Sequence, residues 1–256
     1  MPINGISYAI TMAKQARFLL LATRDQPQVV ESEYQMFLEF SGLTRDELVH
    51  WRLDQTPLPE LELDEWSGII LCGSPYDSLL PAQLKTDTQK RVEKELANLL
   101  DKLVEEDFPF LGVCYGVGTL LGHQGGVISG KYAEEISAPL ITLTEAGRED
   151  PITKGMPDQF QAYVGHKEAC EVMPEHAVLL GSAPSCPVQL FKVGQNLYGT
   201  QFHPELDWPA LHMRILTYAQ AGYYPETEQK RIIEQCETAD VSACHQLIAN
   251  FVDIYR

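Results

Sequence analysis

The chain has 256 residues, 45% of them hydrophobic and 21% charged, which is enough to bury one large core. Its 36 acidic and 19 basic side chains give a formal net charge of −17. That balance argues against general binding to nucleic acid or to an anionic membrane, because attraction to phosphate needs a basic surface. The opening stretch MPINGISYAITMAKQARFLLLATRD has no basic segment ahead of a long apolar core, so no secretory leader is read. No run of about eighteen apolar residues predicts a membrane span. Six cysteines, at 72, 114, 170, 186, 236 and 244, carry no CxxC pair. Neither a disulfide framework nor a zinc knuckle is expected, and reduced thiols point to the cytoplasm.

Taken in chain order, ARFLLLAT (16–23) is a short apolar run that predicts a buried strand. Residues 30–40 carry apolar side chains at helical spacing and end at SGL. LVHWRLD (48–54) alternates like a strand, and SGIILCGSP holds a further buried strand ending in Gly-Ser-Pro. Residues 86–106 are charged and periodic, as a surface helix would be, and FPFLGV is another buried strand. Strand–helix alternation with continuously apolar strands predicts an α/β fold of three layers. Its mostly parallel central sheet is covered by helices on both faces. The second half changes character. KYAEEISAPLITLTE (131–145), AVLLGSA (177–183), PVQLFKVG (187–194) and NLYGTQF (196–202) read as strands with short turns that extend the sheet or form an antiparallel edge. PALHMRILTYAQAG predicts one helix, and the segment after it two more, beyond a soft boundary near residues 222–229.

The segment FPFLGVCYGVGTLLGHQGG carries the first chemical signal. A buried strand delivers Cys114 to its C-terminal end, where open parallel sheets bind ligands. Gly-x-Cys-x-Gly is the thiol counterpart of the Gly-x-Ser-x-Gly nucleophile elbow. The helix that follows aims its N-terminus at the sulfur, which favours a thiolate and can accept an oxyanion. Alone, such a short motif fits a core cysteine at a glycine-rich turn equally well. A thiol nucleophile also needs a base, and the base a partner. YGTQFHPELD supplies His203 and Glu205 directly after a strand, with Pro204 stiffening the chain between them. The Gly73-Ser74 turn and the N–H of Tyr115 are candidate oxyanion donors. AYVGHKEACEV places His166 and Lys167 after a strand, as a substrate-binding loop or as an exposed polar turn. His203, Glu205 and Asp207 could together ligate a metal, but no second cluster has ligand spacing, and none is expected. No Gly-x-Gly-x-x-Gly follows a strand, and no cofactor is expected.

IILCGSP, FPFLGVCYGVGTLLGHQGG, YVGHKEA and YGTQFHPEL, in that order, resemble the class I (triad-type) glutamine amidotransferases, particularly the glutaminase domain of GMP synthase. The resemblance covers roughly residues 16–218. It implies a flavodoxin-like fold for residues 1–222, with 223–256 as a C-terminal helical appendage. It also implies hydrolysis of the glutamine side-chain amide through a cysteine thioester, with release of ammonia. Cys114 would be the nucleophile, His203 the base, Glu205 its orienting acid, and Gly73, Ser74, Tyr115 and His166 the oxyanion and substrate-binding groups. Two departures stand out. The family's Cys-x-Gly-x-Gln has Gly118 at its last position, and its Gly-Gly-Pro turn reads Gly73-Ser74-Pro75. Gly118 opens the alternative of a γ-glutamyl hydrolase or peptidase; a non-catalytic regulatory module is the third reading. In the family the glutaminase is followed by an ATP-pyrophosphatase domain, whereas 51 residues follow Glu205 here and no pyrophosphate loop is present. The expected partners are therefore glutamine or a γ-glutamyl small molecule, and an ammonia-accepting synthetase chain in trans.

Overall fold

The computed structural model describes residues 17–219, 224 and 226–256. Most of the N-terminal stretch read above for a leader, and part of the boundary near 222–229, lie outside the described residues.

The chain begins with β1 (Phe18–Ala22), α1 (Pro27–Ser41), β2 (Leu48–Arg52), β3 (Gly68–Leu71), α2 (Asp87–Glu105), β4 (Phe110–Val113) and α3 (Tyr115–His123). Shorter elements follow: β5 (Val127–Ser129), β6 (Glu134–Ser137), β7 (Leu140–Leu143), α4 (Glu145–Glu149), β8 (Gln159–Gln161), β9 (Val164–His166) and β10 (Ala169–Val172). Then come β11 (Val178–Ser182), β12 (Leu190–Val193), β13 (Leu197–Thr200), α5 (Trp208–Thr217), α6 (Gln229–Glu237) and α7 (Gln246–Tyr255). Nine strands form one sheet in the order β2-β1-β3-β4-β13-β12-β11-β7-β8. The five from β2 to β13 run parallel, and each remaining neighbour pair is antiparallel. The expected parallel centre and antiparallel edge are both present. Two ribbons, β5–β10 and β6–β9, lie outside the sheet.

Alternation along the central strands makes the layers. Phe18, Leu20 and Ala22 of β1 and Leu111 and Val113 of β4 face one apolar cluster, shared with Phe37 of α1, Ile215 of α5 and Phe251 of α7. Leu19 and Leu21 of β1 and Phe110 of β4 face the other, shared with Leu96 and Leu103 of α2 and Leu120 of α3. The C-terminal helices are packed into the first cluster: α7 lies against α1, and the Phe251 ring meets Phe18 edge-on at 6.1 Å.

The helix ends have local causes. Thr86 caps α2 by accepting from the Gln89 N–H at 3.1 Å, and Asp207 caps α5 by accepting from Ala210 at 2.8 Å. Such caps contribute about 1 kcal/mol each. Gly42 ends α1 at φ 66°, the left-handed conformation that glycine adopts without penalty. No helix among the described residues is long and apolar enough to cross a membrane.

Candidate active site

Four neighbouring parallel strands, β1, β3, β4 and β13, end on the same edge of the sheet, and the chain leaving each contributes to one site. From β4 comes Cys114, half-buried, at φ 51° and ψ −83°. A side-chain-bearing residue at positive φ costs about 1–3 kcal/mol and persists only where its surroundings impose it. Two features impose it. The Cys114 N–H donates to Thr200 O at 2.7 Å, extending the β4–β13 ladder. The chain then folds back so tightly that a Cβ on Gly112 would stand 2.9 Å from Gly116 Cα. The glycines on either side of the cysteine are thus a condition of the turn. It opens directly into α3, whose first-turn N–H groups have no intrahelical acceptor.

From β13 comes His203, tied to the strand-end neighbourhood by its N–H donating to Tyr163 O at 2.9 Å. His203 Nδ1 meets Glu205 Oε1 at 2.8 Å. This leaves Nε2 for Cys114, with which the imidazole shares a hydrogen bond. From β3 comes Gly73, so close to the pair that a Cβ there would lie 2.6 Å from His203 Cε1 and 3.6 Å from Cys114 Cβ. Ser74 next to it is fixed by side chains: its Oγ accepts from Thr23 Oγ1 at 2.7 Å and from the Tyr76 N–H at 3.0 Å. The Gly-Ser-Pro turn is therefore a rigid wall of the site, with its backbone against the reacting atoms.

The electrostatics continue behind the triad. Burial opposes the charged form of His203, but the adjacent Glu205 carboxylate and Cys114 outweigh it and raise the imidazole to about 9. Burial works against Glu205 as well, and the His203 and Arg214 charges hold it down to about 2. Arg214 of α5 donates from Nη1 to Glu205 Oε1 at 3.2 Å and from Nη2 to Glu33 Oε2 at 3.0 Å. Glu33 of α1 also accepts from Arg24 Nε at 2.9 Å, and Arg24 leaves the end of β1. His203, Glu205, Arg214, Glu33 and Arg24 are each at most 6% exposed, so alternating charges from four elements hold the triad from behind.

His166 lies on β9, on the wall of the cavity beside Cys114. Its ring nitrogens meet Glu134 Oε2 at 2.8 Å and Glu168 O at 3.0 Å. Cys186 is near enough that His166, Glu134 and Cys186 offer three ligand atoms within 4.8 Å of one another. Gln189 Nε2 closes this group by donating to Glu134 Oε2 at 2.8 Å. Asp207, the third member of the metal set considered from sequence, is occupied as the α5 cap. The space beside Gly118 is filled by another chain segment: a Cβ there would meet Glu168 Oε1 at 3.5 Å and Ser78 Oγ at 3.8 Å. Glu168 accepts from Ser78 Oγ at 2.8 Å and from the Leu79 N–H at 3.2 Å, pinning the loop after Ser74, and burial raises its carboxyl. Sequence reasoning singled out none of Glu33, Arg24, Arg214, Glu134 and Glu168.

The family model of class-I glutamine amidotransferases matches residues 43–217. The chain belongs to that family. It is 31% identical over 153 residues to one separately encoded chain of the glutamine-hydrolysing GMP synthase of Methanocaldococcus jannaschii, a match covering 59% of this chain and 71% of the relative. It is 27% identical over 171 residues to the glutamine-hydrolysing GMP synthase of Thermosipho africanus, covering 66% of this chain and 29% of that longer protein. Among solved structures, a glutamine amidotransferase from Thermotoga maritima superposes with a TM-score of 0.73 at 17% identity, covering 94% of this chain and 98% of its own. One from Methylobacillus flagellatus gives 0.69, also at 17% identity, covering 94% and 96%. At that identity the structures establish the fold. In this family member the amidotransferase motifs named from sequence, on β3, β4, β9 and β13, converge on one cleft at the C-terminal edge of the sheet.

Proposed function

We propose that this amidotransferase hydrolyses the side-chain amide of glutamine at Cys114. The observation that carries the reading is the strained elbow holding a half-buried thiol against an imidazole whose other nitrogen is bonded to a buried carboxylate. Cys114 Sγ attacks the amide carbon, and His203, having taken the thiol proton, returns it to the departing ammonia. Glu205 fixes the imidazole tautomer and stabilises its charged form. The N–H groups of Ser74 and Tyr115 receive the oxyanion. Water, activated by His203, then releases glutamate from the γ-glutamyl thioester. The polar cavity lined by Ser74, Tyr76, Asp77, Tyr115, His166 and Glu168 receives the amino-acid end, its carboxylates suited to an ammonium group.

The Methanocaldococcus relative is named as one part of a multi-chain synthase, which supports delivery of ammonia to a synthetase chain in trans. Six free thiols support a cytoplasmic setting. The test is ammonia release from glutamine. Cys114→Ala is expected to lower turnover by about four orders of magnitude or more. Ammonia release near the wild-type rate in that variant overturns the mechanism.

A further inference from the structure

Cys114 stands between two cavities. Gly165 of β9 lines both, so the β6–β9 ribbon crosses above the thiol and divides them. The cavity on one side is the polar one assigned above to the amino-acid end of the substrate. The cavity on the other side encloses about 480 Å³ of empty space. Its walls include Ile136, Val164, Leu206 and Leu211, all buried, with Arg214 and Tyr218 completing them. His203 lines this second cavity and not the first.

That placement matters for the chemistry. The imidazole that takes the thiol proton must hand it to the departing nitrogen, so the leaving group exits on the imidazole's side. Ammonia is the size of water and needs no shaped, apolar chamber. A volume of this order is that of a small-molecule site. Two of the wall residues carry buried polar atoms with no partner among the described residues, Arg214 Nε and Tyr218 Oη. Both can donate a hydrogen bond. An unmet buried polar group costs about 1–3 kcal/mol, so a ligand acceptor there is favoured.

We infer that the second cavity is a leaving-group site, and that the enzyme cleaves N-substituted γ-glutamyl amides whose amine carries an apolar body and a hydrogen-bond acceptor. The γ-glutamyl dipeptides of apolar amino acids have both: the side chain lies against Leu206 and Leu211, and the carboxylate accepts from Arg214 and Tyr218. The inference rests on the Cys114 chemistry proposed above and names its substrate class. Cys114 Sγ bonds to the γ-carbonyl carbon, the C–N bond breaks, and the amino acid departs with the proton from His203. Water then attacks the thioester, its proton passes to His203, the C–S bond breaks and the thiol is restored. The sum is γ-glutamyl-amino acid plus water giving glutamate plus amino acid.

The test compares kcat/KM of the full chain for glutamine, γ-glutamyl-leucine and γ-glutamyl-isopentylamide, which keeps the apolar body but lacks the carboxylate. Wild type is expected to favour γ-glutamyl-leucine over glutamine by about tenfold or more, the scale of a filled apolar pocket. Tyr218→Phe, which removes one oxygen, is expected to reduce that preference and to reduce the advantage of γ-glutamyl-leucine over the isopentylamide. Leu211→Trp, which fills the cavity, is expected to invert the ratio of γ-glutamyl-leucine to glutamine. Cys114-dependent hydrolysis of glutamine with no cleavage of γ-glutamyl-leucine overturns this inference and leaves the mechanism standing. Hydrolysis of neither overturns both.

Discussion

The molecule contains two clusters of thiol, imidazole and carboxylate: Cys114, His203 and Glu205 at the sheet edge, and Cys186, His166 and Glu134 a short way off. In each, carboxylate and imidazole are 2.8 Å apart and buried. They differ in what remains for the sulfur. Glu205 takes Nδ1 of His203 and leaves Nε2 for Cys114. Glu134 takes one nitrogen of His166 and the Glu168 carbonyl takes the other, so the imidazole has none left for Cys186. The Cys186 thiol instead faces Val188 O at 3.7 Å, and burial, with Glu134 adding to it, pushes it up to about 12. Identical residue types thus give a nucleophile in one place and a structural knot in the other. The deciding factors are an uncommitted ring nitrogen and a strand-end turn that brings the sulfur towards the cavity.

The largest effect that could break this comparison is on turnover. Cys114→Ala should remove it, by about 10⁴-fold or more, while Cys186→Ala should leave kcat within about threefold of wild type. Comparable losses in both would erase the distinction.

Next comes the carboxylate. Glu205→Gln should lower kcat by about 10²–10⁴-fold, because an amide neither fixes the imidazole tautomer as well nor stabilises the imidazolium. The same change should move the His203 titration, read by NMR, downward from about 9, since the charge that raises it is gone. In the wild type this pair also makes stability depend on pH. The Glu205 contribution is present above its ordinary 4.5 and is lost as pH falls through about 2. The His203 contribution is full below its ordinary 6.5 and is lost as pH rises through about 9. Denaturant midpoints should therefore peak between those windows and flatten in Glu205→Gln.

Behind the triad, Arg214→Met leaves Glu205 and Glu33 buried with one cation fewer. It should cost about 3–5 kcal/mol in a denaturation experiment, the usual consequence of breaking a buried pair from one side. The smallest effect is at Gly118. It sits inside α3, and its would-be Cβ makes only ordinary contacts, at 3.5–3.8 Å. Gly118→Ala should raise stability by up to about 1 kcal/mol, through helix propensity alone.

Legibility in the sequence followed how local each signal was. The central strands β1, β3, β4 and β13 are buried on both faces and read as continuous apolar runs, which is why the parallel centre could be foreseen. β5, β8 and β9 have three residues each and carry Ser129, Gln159, Gln161 and His166, too short and too polar for any alternation to show. The triad motifs were visible because Gly-x-Cys-x-Gly and His-Pro-Glu are contiguous. The charges behind them are not. Glu33 and Arg214 are 181 residues apart and meet only through packing of α1 and α5 against the sheet. One signal did exist: Glu33 falls on the stripe of Val29, Val30, Tyr34 and Phe37, and Arg214 on that of Ala210, Leu211 and Ile215. A charge on the core-facing stripe of a helix requires a buried partner. Glu168 lies within the YVGHKEA motif itself, yet nothing in the sequence tells that it packs against Gly118.

The central claim is that Cys114 alone among the six thiols is the nucleophile, and peptide mapping after treatment with a diazoketone analogue of glutamine tests it most directly. The account predicts rapid, stoichiometric addition at Cys114, blocked by glutamine, with Cys186 and the other buried thiols unmodified. An unlabelled Cys114, or labelling there no faster than at Cys186, would contradict it.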